Sequence, residues 1–413
     1  MHAHAHRIER PQKGWRRRVA IALVGLMPPL TRLVRARRAS RPGKRLLIET
    51  VHLDEICDQA RIESRARQLS EGADWDGLHR LMADLDAESG KSCGKVLTRC
   101  AARGTRGAQA DWVAQLGGGA ALPVSAILYD ELERLELAYA LRPDDHHLGA
   151  ILTLAHLEMA RVRQDLTPVD DDTGADGHDL HLARANEILT EWHAKAPGSG
   201  FLTMVAHRVA CEVPGADTLI HDRFAQALEE APTDWDLMKE HAFHLLPGQR
   251  GDYEMLELEA RRTMVATPDT GAAAYAAFYM GVMTRDPGTL FLADAALLAQ
   301  GLCDIARAEA GDPATVNRLL QFCTDITTPT DSGNPGADAE INAQRSRFAK
   351  VASGLFAEWF TCHVPECWTV PADSMRRSLA AHYAPLLEQG DRISLTRAGI
   401  AINPPKAAAR SAT

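Results

Sequence analysis

The order of apolar and polar positions along the chain reads as one helix after another. Leu78, Leu81, Met82 and Leu85 fall at i, i+3, i+4 and i+7, the single stripe of an amphipathic helix. The same helical pattern, with polar interruptions, covers Leu46 to about Ala87, with a turn expected at Gly72. Beyond the Gly-rich connector "AQLGGGAALP" (114–123) the helices come in pairs divided by proline. "YDELERLELAYALRPDDHHLGAILTLAHLEMAR" is helix, Pro-Asp-Asp, helix, and three later stretches repeat that form. The pivots are Pro143, Pro197, Pro232 and Pro268, at intervals of 54, 35 and 36 residues. The Asp-rich run at 164–181, read as a solvated loop, accounts for nearly all of the excess in the first interval.

Proline at these places has a physical reason. It cannot continue the old helix, and it is tolerated in the first turn of the next. Asp144, Ser199, Thr233 and Asp269 follow the pivots and are expected to cap the new helices by accepting from their free N–H groups. Pro247 to Gly251 then links the two helices of one unit, and Pro268 opens the next.

A period near 34 residues with two helices per unit is the tetratricopeptide pattern. Over roughly 120–290 the chain resembles that family. Ala138 and Ala227 stand five residues before a pivot proline, at a small position of the second helix, and Trp192 and Thr263 fill the same slot elsewhere. Leu246, Pro247, Gly251, Asp252 and Tyr253 also resemble a theme of bacterial helical-repeat domains of unknown function. The resemblance implies an all-α fold, a TPR-like α-solenoid of right-handed stacked hairpins with irregular terminal helices. The expected organisation is a basic tail (1–45), a helical repeat body (46–325), a linker (326–345), a C-terminal helical cap (346–403) and a disordered end (404–413). Phe348, Val351, Leu355 and Trp359 are the apolar face expected to open the cap, and "RISLTRAGIAI" is expected to be extended.

Composition agrees with this outline. Hydrophobic residues make up 46%, charged residues 24% and aromatics only 5%, a mix that favours helix over strand. Charge adds an asymmetry. Residues 1–45 carry 13 Lys and Arg against Glu9 alone, a net +12, which leaves −21 on the rest of a chain whose total is −9. An acidic body repels nucleic acid, since affinity for phosphate backbones comes from Lys and Arg. In "RRRVAIALVGLMPPLTRLVRARR" thirteen uncharged residues separate Arg18 from Arg32. A spanning helix needs roughly 20, Pro28-Pro29 would break this one, and no small-x-small cleavage site follows. The tail is therefore disordered, or it rests on an anionic membrane surface through Arg16, Arg17, Arg18, Arg32 and Arg35.

The eight cysteines are dispersed, most of them within apolar helical patterns, and are expected to be free in a reducing cytoplasm. Cys362, His363 and Cys367 lack the second pair that a zinc site needs. Gly90-Lys91-Ser92 has Leu85 where a phosphate loop needs its first glycine. An EF-hand starting at Asp170 would have Gly174 at position 5 and His181 at position 12, and fails. His178 and His181, and His241 and His244 beside Glu240, are i, i+3 pairs without His-Glu-x-x-His spacing. "MHAHAHR" offers only adventitious metal ligands. No nucleophile elbow and no cofactor motif appears.

The expected function is a protein-interaction scaffold that takes a partner peptide or helix in a concave groove. His156, His207, His241, His244, Tyr275 and Tyr279, on the first helix of each unit, are the candidate groove residues, with packing between helices as the competing role. Two other readings stand beside it. One is a metal-dependent enzyme built around His241, His244 and nearby acids. The other is an assembly factor tethered to the inner face of the membrane by residues 1–45.

Overall fold

The computed structural model describes residues 45–107, 126–166, 172–193, 198–369 and 372–404. The five tail arginines from Arg16 to Arg35, the connector at 114–123, Pro197 and the end from 405 onward lie outside the described residues. The described chain is mostly helical, as the periodicity requires. It divides into two compact units, one of residues 52–359 and one joining the chain up to Val51 with the chain from Phe360 onward. No helix among the described residues is long and apolar enough to cross a membrane.

The larger unit begins with α1 (Leu53–Ile56), α2 (Gln59–Glu71), α3 (Trp75–Ala87) and α4 (Leu97–Thr105). In α3 the expected stripe is turned inward, with Leu78, Met82 and Leu85 buried and the Asp74 carboxylate accepting from Gly77 N–H at the start. Then follow α5 (Ala126–Leu141), α6 (His146–Leu166), α7 (Asp172–His193), α8 (Gly200–Glu212), α9 (Asp217–Glu230), α10 (Trp235–His244), α11 (Tyr253–Ala266) and α12 (Ala273–Val282). The unit closes with α13 (Thr289–Leu292), α14 (Ala295–Ala308), α15 (Pro313–Thr327), α16 (Pro335–Arg347) and α17 (Ala352–Glu358).

The helices of this unit pack mainly on near neighbours in sequence. α6 lies against α7, and α8 against α9, while α12 packs on both α10 and α14. α12 is apolar on every side and is buried almost throughout, as a helix with neighbours all round must be. Two glycines allow the close approach. A Cβ at Gly281 would stand 2.5 Å from Lys239 O of α10, and one at Gly301 would stand 2.3 Å from Ala272 O beside α12. The slot five residues before each pivot is buried whatever fills it: Ala138, Trp192, Ala227 and Thr263.

Several expectations are corrected. The caps after Pro143 and Pro232 are Asp145 and Asp234, not Asp144 and Thr233. Turns closed by Asp145 N–H to Arg142 O and by Asp234 N–H to Ala231 O carry the cap one residue onward. Ser199 caps α8 as expected. Asp269 sits in a 3-10 turn, and the free Ala272 N–H at the start of α12 is met by the Asp304 carboxylate of α14. The Asp-rich run is helical from Asp172. The linker is mostly helix, because Asn334 caps α16 and Pro335 occupies its first turn. Cys57 and Cys93 form a disulfide with Cα atoms 5.8 Å apart, so they are not free thiols.

In the smaller unit the strand Leu46–Ile48 runs parallel to Arg392–Thr396, which pairs antiparallel with Gly399–Asn403. Leu46–Ile48, expected to be helical, is a strand because this pairing overrides a local pattern three residues long. The extended reading of the last stretch holds, and its two arms form a hairpin. Ile393 and Leu395 of the central strand are buried. Helices at Ala372–His382 and Ala384–Glu388 complete the unit.

Candidate functional site

The six candidate groove residues are placed by three helix contacts, and five of them are buried. His207 of α8 and His241 of α10 meet with Nε2 and Nδ1 3.1 Å apart, and both rings are sealed from solvent. Phe224 of α9 stacks flat on His241 at 3.8 Å, and Phe278 of α12 meets it edge-on. Burial pushes the His207 imidazole down to about 3 and His241 well below its ordinary value, so both are neutral. Tyr275 and Tyr279 of α12 both donate their hydroxyls to Glu257 Oε2 of α11, and Tyr275 Oη accepts from Asp294 N–H. His156 of α6 lies between Glu136 of α5 and His181 of α7, at 2.9 and 3.0 Å. Only His244, the last residue of α10, is half-exposed. The expectation of a groove face made of these residues is corrected: rings of this size are drawn into helix contacts, where His207 Nδ1 and His241 Nε2 are buried without a hydrogen-bond partner.

The second set of contacts ties α4 to the start of α10. Arg99 spans Asp234 at 2.8 Å and Glu240 at 2.7 Å, and Lys95 reaches Asp236 at 2.6 Å. Arg208 of α8 joins Glu240 from the other side. Burial pushes the Glu240 carboxyl up, but Arg99 and Arg208 outweigh it and hold it at about 2. Thr233, freed from capping, takes the Lys91 ammonium on its hydroxyl at 2.7 Å.

Among the described residues, two clusters have ligand atoms close enough to share a cation: His79, Asp145 and His147, and His221, His241 and Glu259. The pairing of His241 with His244 expected from the i, i+3 spacing is corrected, since His241 groups with residues of α9 and α11 instead. The first cluster gathers α3 and the start of α6. His79 Nδ1 stands 3.1 Å from Asp145 Oδ1 and makes no aligned hydrogen bond with it. His147 Nε2 lies 3.2 Å from Asp86 Oδ2, while its buried Nδ1 has no partner. Asp86 also accepts from Ser199 Oγ at 2.6 Å and Phe201 N–H at 2.9 Å. Burial raises the Asp86 carboxyl, and these three donors more than offset it, leaving it below the usual range. His147 sits at the start of α6, just after Pro143, whereas His79 and Asp86 come from a helix some 60 residues earlier.

The remaining feature is an open groove of about 470 Å3 between the start of α3 and α5. Trp75, Leu137, Ala138 and Leu141 line it, with Asp130, Glu133 and Arg134 along its edge. Leu137 is 61% exposed and Leu141 83%. The Arg134 guanidinium lies 5.5 Å from the Trp75 ring centre. Searched against models of known families, curated proteins and solved structures, the chain matches none.

Proposed function

We propose that the chain is a protein-interaction scaffold, a TPR-like α-solenoid that holds a partner helix or peptide in the groove between α3 and α5. The observation that carries this reading is the exposed pair Leu137 and Leu141 beside Trp75. They stand four residues apart on α5, so they share one face. The opposite face, with Leu128, Leu132 and Leu135, is already buried. A helix with a second apolar stripe left in water is suited to an apolar strip from a partner. The groove fits anchors at i, i+3 or i+4 spacing. Asp130 and Glu133 on its edge favour a partner with Lys or Arg flanking those anchors. The repeated order of α8, α10 and α12, beginning at Gly200, Trp235 and Ala273, supports the solenoid part of the reading.

The test places a photo-crosslinking amino acid at position 141 of the full chain in its native cells. One dominant intermolecular adduct is expected, lost with Leu137→Asp and kept with Val265→Asp on the distant, exposed surface of α11. An adduct within the chain itself, or none, overturns the reading.

A further inference from the structure

We propose that His79, Asp145 and His147 bind one divalent transition-metal cation of the zinc class, with Asp86 holding His147 in the ligating tautomer. This site is independent of the groove.

The argument starts from Asp86. Its carboxylate already accepts from Ser199 Oγ and Phe201 N–H, and an ionised carboxylate can only accept. His147 Nε2, 3.2 Å from Asp86 Oδ2, must therefore carry the proton. In a neutral ring that leaves the lone pair on Nδ1. His147 is 4% exposed, and that Nδ1 is buried without a hydrogen-bond partner. A buried polar atom left unpaired is uncommon and calls for an explanation. A metal-ligating histidine characteristically donates its other ring N–H to a carboxylate, which fixes both tautomer and ring orientation. Asp86 and His147 reproduce that arrangement.

The other two members lie close to His147. His79 Nδ1 is also without a hydrogen-bond partner, although Asp145 Oδ1 is only 3.1 Å away. The pair has the distance of a bond and not its direction, as expected of two ligands facing a common point rather than each other. The ligand atoms of all three residues lie within 4.8 Å of one another. Tetrahedral ligands at about 2.0–2.1 Å from zinc are separated by about 3.4 Å, so the cluster needs to close by little more than ~1 Å. The His79 side chain is 44% exposed and can turn to do so. Asp145 is held in place as the cap of α6 by Leu148 N–H. Two imidazoles and a carboxylate suit Zn2+ and its first-row neighbours, not Mg2+ or Ca2+, which prefer all-oxygen shells. Water completes the coordination from the solvent side of His79.

The second cluster is the weaker candidate. There His241 Nδ1 faces the His207 ring rather than a carboxylate, and Glu259 is shared with Arg262.

The experiment uses the full chain with His2, His4 and His6 replaced by Ala, so that the terminal histidines do not contribute. Chelator-stripped protein is titrated with Zn2+ by calorimetry and with Co2+ by its visible absorption. One equivalent per chain is expected, with x-ray absorption showing two imidazole nitrogens and a carboxylate oxygen. His79→Ala and His147→Ala should lose the equivalent. Asp86→Asn should weaken it by about 10–100-fold, and His221→Ala should leave it unchanged. Circular dichroism checks that each variant keeps its helix content, and the half-exposed His79 makes His79→Ala the safest of them. Absence of saturable binding overturns the proposal. So does an equivalent that survives His79→Ala and disappears with His221→Ala.

Discussion

His207 Nε2 and His241 Nδ1 lie 3.1 Å apart in a contact closed to water, so the hydrogen bond between them joins two neutral rings. That has a consequence for pH. Histidines of the unfolded chain take up a proton near 6.5, while burial holds His207 down to about 3 and His241 well below its ordinary value. Between those values the unfolded chain binds more protons, so this contribution is fully present above pH 6.5 and falls away as the pH drops. Unfolding free energies from urea titrations at pH 7.5 and pH 5 should differ by on the order of 2 kcal/mol for each of the two rings. The double variant His207→Gln, His241→Gln should flatten that dependence. Equal slopes for the two proteins would show that the pair is not the source.

Arg99 is the cation that Asp234 and Glu240 share, and its side chain is only 13% exposed. Replacing it by Met leaves Asp234 without its cation and Glu240 with Arg208 alone. A loss of about 3–5 kcal/mol is expected, read by denaturant unfolding at neutral pH. Lowering the pH should recover part of it, and from a higher pH than the wild-type Glu240 value of about 2, because the carboxyl has lost the guanidinium that held it down.

Tyr279 and Tyr275 both donate to one carboxylate, and burial pushes the Tyr275 hydroxyl up to about 12. Tyr279→Phe removes one donor and leaves Glu257 with Tyr275 and Arg261. A cost of about 1–3 kcal/mol follows, without loss of helix by circular dichroism. A neutral result would mean that Glu257 finds water at that position.

The Cys57–Cys93 disulfide ties the segment before α2 to the antiparallel pair Lys91–Ser92 and Lys95–Val96 that precedes α4, and closes a span of 36 residues. Cross-links of that span stabilise by about 2–4 kcal/mol through the unfolded state. Dithiothreitol, or Cys93→Ser, should lower the melting temperature of the native protein, and the reductant should have no further effect on the variant.

How much of this was readable in the chain depends on distance along it. The helices of the repeats were visible because a 3.6-residue stripe and a proline pivot are local signals, as in α3 and at Pro232. The caps were placed one residue early at Asp144 and Thr233, because the turn that carries them onward is set by backbone hydrogen bonds rather than by residue type. The histidines were noticed, but their partners were not. His147 finds Asp86 across 61 residues, and Lys95 finds Asp236 across 141. No periodicity encodes such pairings. The strand at Leu46 was missed for the same reason, its partner being near the other end of the chain.

That last pairing bears on how the molecule is made. Arg397 N–H donates to Glu49 across 348 residues, and Leu46 sits beside Ile393 in the sheet. A ribosome releases the first strand long before its partner exists, whereas every contact within 52–359 becomes available earlier. The contacts of the helical body can thus form first, and the small sheet can close only once Arg392–Asn403 has emerged. Any truncation that removes the final hairpin strands the opening segment without a partner while sparing the helices.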